Sequence, residues 1–315
     1  MILKVGFKTE ATSKTGFGHL KRLLNLLHGW SGVSPLFISC EPLPIIPYES
    51  VVVESAQDFR SRIVNLDLLI IDEPQILESF INVIPEEIKL AGFDELGQLR
   101  DKLHIHFATT LLGLDNKVKQ RGRTKEYIGR DYFIFPEIQN QATVIEGRRI
   151  LVTFGGSDPA GLSVQYLKNI EVKLLTQTVM ILGPGFDPEH SAQIKLNKDL
   201  YLVESPSSLV PYYLAYPFTV TGGGVSAYEA VRFGSTAFLC SQHSEQFGTA
   251  NRLAKRGLAL EFGVYPKVNW SKLNAILTKY TSGEHKTLLH DDRSFYFDGL
   301  GAQRVRTILE EYAQS

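Results

Sequence analysis

The segment "TGFGHLKR" (15–22) sets an ionisable imidazole, His19, directly behind Gly16 and Gly18, with the basic residues Lys21 and Arg22 just after it. Leucines at 20, 23, 24, 26 and 27 recur at helical spacing, so the segment reads as a glycine turn feeding a helix over 20–29. At the start of a helix the positive end of the dipole favours the neutral ring. A neutral imidazole can take a proton from water or from a sugar hydroxyl, and that is the chemistry His19 offers. A solvated histidine on a surface helix is the plainer reading of the same residues.

Two other turns are rich in glycine: "FGGSDP" (154–159), with Gly155, Gly156 and Ser157, and "TGGGVSAYE" (221–229), with Gly222, Gly223 and Gly224 ahead of Val225 and Ser226. Glycine lets the backbone come close to a ligand, and the N–H groups of a first helical turn suit an anion such as a phosphate. Glu229 lies about one and a half turns into the second helix, where a carboxylate could accept hydrogen bonds from a ribose diol. An ordinary tight turn with a surface glutamate explains the segment equally well. No turn carries the Gly-Lys-Ser/Thr ending of a Walker loop. "GFGHLK" has Lys21 where the dinucleotide fingerprint needs a third glycine. ATP hydrolysis and a standard nicotinamide site lose weight accordingly.

Other chemistry-bearing residues read as structural. His104 and His106 alternate along an expected strand without a third ligand at metal spacing, so no metal is expected. Asp72 and Glu73 in "IIDEP", and Asp94 and Glu95 in "GFDELG", end or follow apolar segments, which suits cleft residues, turn formers and helix caps alike. No G-x-S-x-G supports a serine hydrolase. Cys40 and Cys240 stand far apart and form no metal spacing. Lys117, Lys119, Arg121, Arg123 and Lys125 form a local basic cluster, read as a solvated loop or helix face.

The elements that must position these residues alternate between strand and helix, which predicts an α/β protein with parallel sheets. Strands are expected at 2–7, 35–39, 50–54, 67–72 and 105–109, with helices near 56–65 and over 93–103. A second series follows, with strands at 149–156, 177–183, 200–204, 217–224 and 235–240, and helices at 161–171, 225–234 and 245–257. Both series open with a strand running into a glycine turn, and they join near 136–148. The expected domains are 1–142, 147–290 and a closing helix over 291–315 that packs back on the first. With 33 Lys and Arg against 34 Asp and Glu in 315 residues, the net charge of −1 gives no global attraction to nucleic acid or anionic lipid. Met1 leads straight into "ILKVGF", and the longest apolar run, "LLII", is too short to span a bilayer, so a cytoplasmic protein is expected.

Four segments taken in order resemble the UDP-sugar hydrolases of pseudaminic acid biosynthesis and, more broadly, the GT-B nucleotide-sugar enzymes. "FKTEATSKTGFGHLKRLLNL" resembles the opening G-x-G-H-x-x-R segment, and "ILVTFGGSDPAGLS" the start of the second domain. "TGGGVSAYEAVRFGSTAFLCSQHSEQFGTANRLAKRG" resembles the donor-binding block, and "FDGLGAQRVRTIL" the closing D-G-x-G-x-x-R-V segment. The resemblance implies two Rossmann-like domains facing across a cleft, with displacement at the anomeric carbon and release of UDP. It makes His19 the base or water-orienting residue, and Gly16, Gly18 and Arg22 part of the substrate site. Gly222, Gly223 and Gly224 would face the diphosphate, followed by Val225 and Ser226, with Glu229 a ribose ligand. Gly155, Gly156 and Ser157 would line the cleft, and Glu245 and Gln246 would match an Asn-Gln pair. No cofactor or metal is implied; the partners are a UDP-sugar and a possible carbohydrate acceptor. Three positions depart from the pattern: no tyrosine follows the central strand in "IIDEPQI", "FDEL" replaces paired aspartates, and Glu245 stands where asparagine belongs. A hydrolase, a glycosyltransferase and a non-catalytic nucleotide-sugar-binding protein all remain open at this stage.

Overall fold

The computed structural model describes residues 2–12, 15–73, 76–95, 97–109, 113–138, 144–283 and 296–314. They form two compact units, Met1–Pro136 together with Asp298–Ser315, and Glu137–Phe297. The parts of the expected domain limits at 139–143 and 291–295 lie outside the described residues.

The first unit contains β1 (Leu3–Lys8), α1 (Gly18–Leu27), β2 (Val33–Ser39), β3 (Glu49–Val52), α2 (Ala56–Ile63) and β4 (Leu68–Ile71). It continues with α3 (Glu78–Ile81), β5 (Lys89–Phe93), β6 (Ile105–Ala108), β7 (Lys117–Arg121) and β8 (Thr124–Ile128). The second unit holds β9 (Ile150–Thr153), α4 (Leu162–Asn169), α5 (Val172–Leu175), β10 (Thr178–Leu182), α6 (Pro188–Lys195), β11 (Tyr201–Glu204) and α7 (Val210–Ala215). After these come β12 (Phe218–Thr221), α8 (Val225–Arg232), β13 (Thr236–Ser241), α9 (Ser244–Lys255), β14 (Leu260–Val264) and α10 (Trp270–Ser282). The last helix, α11 (Gly301–Gln314), belongs to the first unit.

The first six strands of the larger sheet follow the same order as the six strands of the smaller one. In the first unit the strand order is β3-β2-β1-β4-β5-β6-β8-β7, and in the second β11-β10-β9-β12-β13-β14. Every pair is parallel except β7 with β8. Each unit therefore has the doubly wound order, which reverses direction between its first and fourth strands. Ligands of such sheets bind outside the carboxyl ends of the strands at that reversal. In the first unit it lies between β1 and β4, and in the second between β9 and β12.

The sequence explains why α1 forms and where it lies. Leu20, Leu23, Leu26 and Leu27 are buried along one stripe, each contributing about 1.5–3 kcal/mol by leaving water. They join Val5, Phe7, Phe37 and Ile70 in the core on that side of the sheet. The same core takes in Val305 and Leu309 of α11. Polar contacts fix that helix further: Trp30 Nε1 donates to Glu310 at 2.6 Å and Lys89 Nζ to the carbonyl of Tyr312 at 2.9 Å.

Two expectations are corrected. The helix expected over 93–103 is the end of β5, followed by a short 3-10 turn at Gln98–Asp101. "KLAGF" is apolar enough to be buried between β4 and β6, and tertiary pairing overrides the helical spacing beyond it. The basic cluster is mostly strand: Lys117, Lys119 and Arg121 lie on the edge strand β7 and Lys125 on β8, while Arg123 lies in the turn that joins them. Cations on an exposed edge strand discourage pairing with another chain. His104 and His106 serve the fold, as their main-chain contacts show: Leu90 N–H donates to His104 Nδ1 at 3.1 Å, and Glu95 N–H to His106 Nε2 at 3.0 Å.

Gly301 opens α11 against the main chain of the first unit. A Cβ there would stand 2.1 Å from the Phe133 carbonyl oxygen, with backbone on every near side. G301A is expected to lower the unfolding free energy by about 1–3 kcal/mol through overpacking, measured by urea denaturation.

Candidate active site

In the first unit the site gathers at the reversal between β1 and β4. The turn after β1 uses Gly16 in the left-handed region, at φ +76, and α1 starts at Gly18 without a side-chain cap. That places His19 and Arg22 on one face of the first turn, three residues apart. Asp72, directly after β4, faces them. The His19 side chain is 28% exposed, whereas that of Asp72 is fully buried.

Their contacts form one network. His19 Nδ1 lies 2.7 Å from Asp72 Oδ1. Since that oxygen is a carboxylate acceptor, Nδ1 carries the proton and Nε2 is the basic nitrogen. No described residue bonds Nε2. Arg22 holds the same carboxylate with two prongs, Nε to Oδ2 at 2.7 Å and Nη2 to Oδ1 at 2.6 Å. Its Nη1 donates to Asp94 Oδ2 at 2.5 Å, and the guanidinium lies 4.9 Å from the centre of the Phe93 ring. Burial alone would raise the Asp72 carboxyl; the charge of Arg22, with the hydrogen bonds from Arg22 and His19, outweighs it and holds the group below the ordinary carboxylate range. Asp94 is in the left-handed region, φ +49, which turns its carboxylate onto the Thr109 N–H at 2.8 Å and hydroxyl at 2.9 Å.

A second ion pair anchors the same segment from the other side of the sheet. Glu73 binds Lys8 Nζ at 2.6 Å, and Lys8 also reaches Glu10 at 2.7 Å. Asp72 and Glu73 thus point to opposite faces, and the Thr9 hydroxyl donates to the Asp72 carbonyl at 2.7 Å.

In the second unit the glycine turns meet one another. A Cβ on Gly223 would stand 2.1 Å from the Gln246 carbonyl oxygen, and one on Gly222 would stand 2.9 Å from Gln246 Oε1. Gln246 therefore lies over the triple glycine, and its Oε1 accepts from Gln242 N–H at 3.0 Å. Gln242 Nε2 in turn donates to the Phe154 carbonyl at 2.9 Å, tying the turn after β9 to the turn after β13. Gly155 adopts φ +87, and the Gly156 carbonyl accepts from Gly185 N–H at 2.8 Å. α8 begins at Val225 with no side-chain cap. Beneath the turn, the buried hydroxyls of Thr153, Thr221 and Ser241 have no hydrogen-bond partner among the described residues. Orphaned buried hydroxyls at the ends of three neighbouring strands mark a place that water or a ligand completes.

The remaining expected residues fall around this cradle. Ser157, Val225 and Ser226 are half-buried. Glu229 is half-buried, and with burial its charge keeps the Tyr213 hydroxyl protonated far above the ordinary range. Glu245 is exposed in the first turn of α9. Asp72, Asp94, Thr109 and Gln242 are absent from the residues the sequence picks out as substrate-binding. For Asp72 the available signal was its place, a carboxylate closing the apolar run "LLII". Pro74 and Gln75, where the resemblance expects a tyrosine nearby, lie outside the described residues. Among the described residues no group of three or more His, Cys, Asp or Glu side chains is placed to hold a metal. No helix among them is long and apolar enough to cross a membrane.

Comparison with solved structures settles the class of fold. The chain aligns over 98% of its length with the crystal structure of the kitacinnamycin glycosyltransferase, covering 98% of that chain at a TM-score of 0.63 and 12% identity. The fold is GT-B. MurG of Acinetobacter baumannii gives a TM-score of 0.61 at 12% identity, over 98% of this chain and 99% of its own. Spinosyn rhamnosyltransferase SpnG, solved with thymidine diphosphate, gives 0.58 at 13% identity, over 97% and 100%. In sequence, the chain is 27% identical to the spore coat polysaccharide biosynthesis protein SpsG of Bacillus subtilis, over 98% of each chain. It is also 22% identical to the uncharacterised protein MJ1062 of Methanocaldococcus jannaschii, over 78% of this chain and 57% of that one. No protein-family model matches the chain.

Asp158 in the turn after β9 gives a pH signature. Its carboxylate accepts from Leu162 N–H at 2.9 Å and Ser163 N–H at 2.7 Å. Burial nevertheless dominates and raises it to about 6. Between that value and the unfolded value of about 4, the folded chain binds a proton that the unfolded chain does not, so this residue's contribution to stability grows as pH falls. The melting temperature of the wild type relative to D158N is expected to rise from pH 7 to pH 4.5 by this account.

Proposed function

We propose that the protein is a glycosyltransferase that moves a sugar from a nucleotide diphosphate to a hydroxyl acceptor in surface-polysaccharide biosynthesis. The observation that carries this reading is the His19–Asp72 pair, 2.7 Å long, at the strand-order reversal of a GT-B first unit. His19 Nε2 takes the proton of the acceptor hydroxyl as its oxygen attacks the anomeric carbon. The bond from that carbon to the diphosphate oxygen breaks, and the nucleoside diphosphate leaves with the electron pair. The glycine turn at 222–224 and the uncapped start of α8 offer main-chain N–H groups to the departing charge. Uridine diphosphate is the expected carrier, from the resemblance of the donor block. SpsG and the glycosyltransferase neighbours support the setting and the donor class.

Hydrolysis differs only in that water replaces the acceptor hydroxyl on the same His19. The resemblance of the "GFGHLKR" segment to the pseudaminic-pathway hydrolases favours this second reading, which is the finer one and stands beside the transferase rather than ahead of it.

Release of nucleoside diphosphate from a panel of UDP- and TDP-sugars, with and without carbohydrate acceptors, distinguishes the two. Acceptor-dependent release supports transfer, and free sugar without acceptor supports hydrolysis. H19A is expected to lose about two decades or more of kcat with little change in donor KM. Equal turnover by H19A removes His19 as the base. G223A, whose added methyl meets the Gln246 carbonyl, is expected to lose UDP affinity measured by calorimetry, while H19A keeps it.

A further inference from the structure

Arg22 follows the histidine in the segment that resembles a substrate site, and an arginine near a diphosphate is the usual partner for its charge. The geometry points elsewhere. The Arg22 side chain is 10% exposed, and each of its three nitrogens already binds a carboxylate of this chain. Its planar group is also stacked on Phe93. Turning it toward a ligand would strip Asp72 of its cation while that carboxylate stays fully buried.

We propose that Arg22 and Asp94 are positioning residues for the His19–Asp72 pair, and that Arg22 makes no contact with the donor diphosphate. The proposal rests on the reading of His19 as the base. Arg22 locks the Asp72 carboxylate in the plane that receives the Nδ1 proton of His19, which leaves Nε2 bare. Asp94 completes the arrangement through charge. Arg22 alone on Asp72 would leave that pair without net charge. With Asp94 sharing the guanidinium, the three groups carry one net negative charge beside His19. A proton taken up by His19 brings that sum to zero. The Thr109 N–H and hydroxyl hold Asp94 in place for this task, at 2.8 and 2.9 Å.

Two substitutions and two readouts test this. Heteronuclear NMR of nitrogen-labelled protein reports which ring nitrogen of His19 carries the proton, its signals being those lost in H19N. The wild type is expected to show a protonated Nδ1 and a bare Nε2. R22K, which keeps the charge but not the planar fork, is expected to show mixed tautomers. Its kcat is expected to fall about a hundredfold, with donor KM and UDP affinity unchanged. D94N retains an acceptor for Thr109 and provides a milder variant should R22K fold poorly. It is expected to keep the tautomer and lose about tenfold in kcat. A wild-type His19 protonated at Nε2 overturns the proposal. So does an R22K enzyme with normal kcat and tautomer but donor affinity weakened about tenfold, because Arg22 would then be a substrate ligand. If no nucleotide-sugar is turned over at all, the proposed function fails, and the tautomer in R22K still decides the positioning role.

Discussion

A carboxylate without solvent around it stays ionised only when a cation is delivered to it, and at Asp72 that requirement organises the first unit. The cation is Arg22, and its reach fixes where α1 must begin. α1 can begin there because Gly16 turns the chain in the left-handed region. β4 must lie beside β1, as the parallel register Lys8 with Ile71 ensures. The next residue, Glu73, points to the opposite face, where Lys8 meets it at 2.6 Å. Two adjacent acids are thus tied down from both sides of the sheet, and the end of β4 has little freedom to tilt. His19 is the exposed end of a rigid, charged construction.

The second unit presents the opposite chemistry. Its candidate site is built from main-chain groups, glycines, amides and hydroxyls, with Gln246 lying over the triple glycine and Gln242 bridging to Phe154. Such a cradle receives an anion by oriented dipoles instead of a formal counter-charge. On the proposed function, a diphosphate held this way would be bound less tightly than by a cluster of arginines, which would suit a product that must leave after each turnover.

Much of this was legible in the sequence, and the limits have physical causes. Strand runs such as "DLLIID" and "FTVT" are apolar because they are buried on both faces, so their type was plain. Glycine turns were plain because positive φ and close approach exclude other residues, as at Gly155 and Gly223. The strand "KLAGF" was hidden because helical spacing continues past it into Leu99 and Leu103. The basic hairpin was hidden because an edge strand needs no apolar pattern. In the site, His19 stood out by residue type and position. Asp72 and Asp94 did not, because a carboxylate at a strand end looks like a turn former until the neighbouring strands are known. Arg22 was visible, but its partners come from 50 and 72 residues away, a distance no local pattern spans.

The closing segment shows how a motif that carries a family resemblance can serve the fold. In "DGLGAQRV", Asp298 accepts from Leu300 N–H at 2.9 Å and pairs with Arg304 at 2.5 Å, which also reaches the Asp131 carbonyl at 3.1 Å. Gly301 leaves room for the Phe133 main chain, and Val305 enters the core of the first unit. Asp298, Gly301, Arg304 and Val305 are thus accounted for by the docking of α11. The motif is specific because the chain leaves the first unit at Pro136 and must return to it at Asp298. A helix that closes a unit after so long an excursion needs a defined entry angle, and an aspartate that ties the preceding turn to Arg304, a close-approach glycine and one buried valine supply it. The "GFGHLKR" segment combines both duties, since the same short turn that starts α1 also sets the candidate base. The constraints that start α1 and those that set the candidate base therefore coincide in one turn.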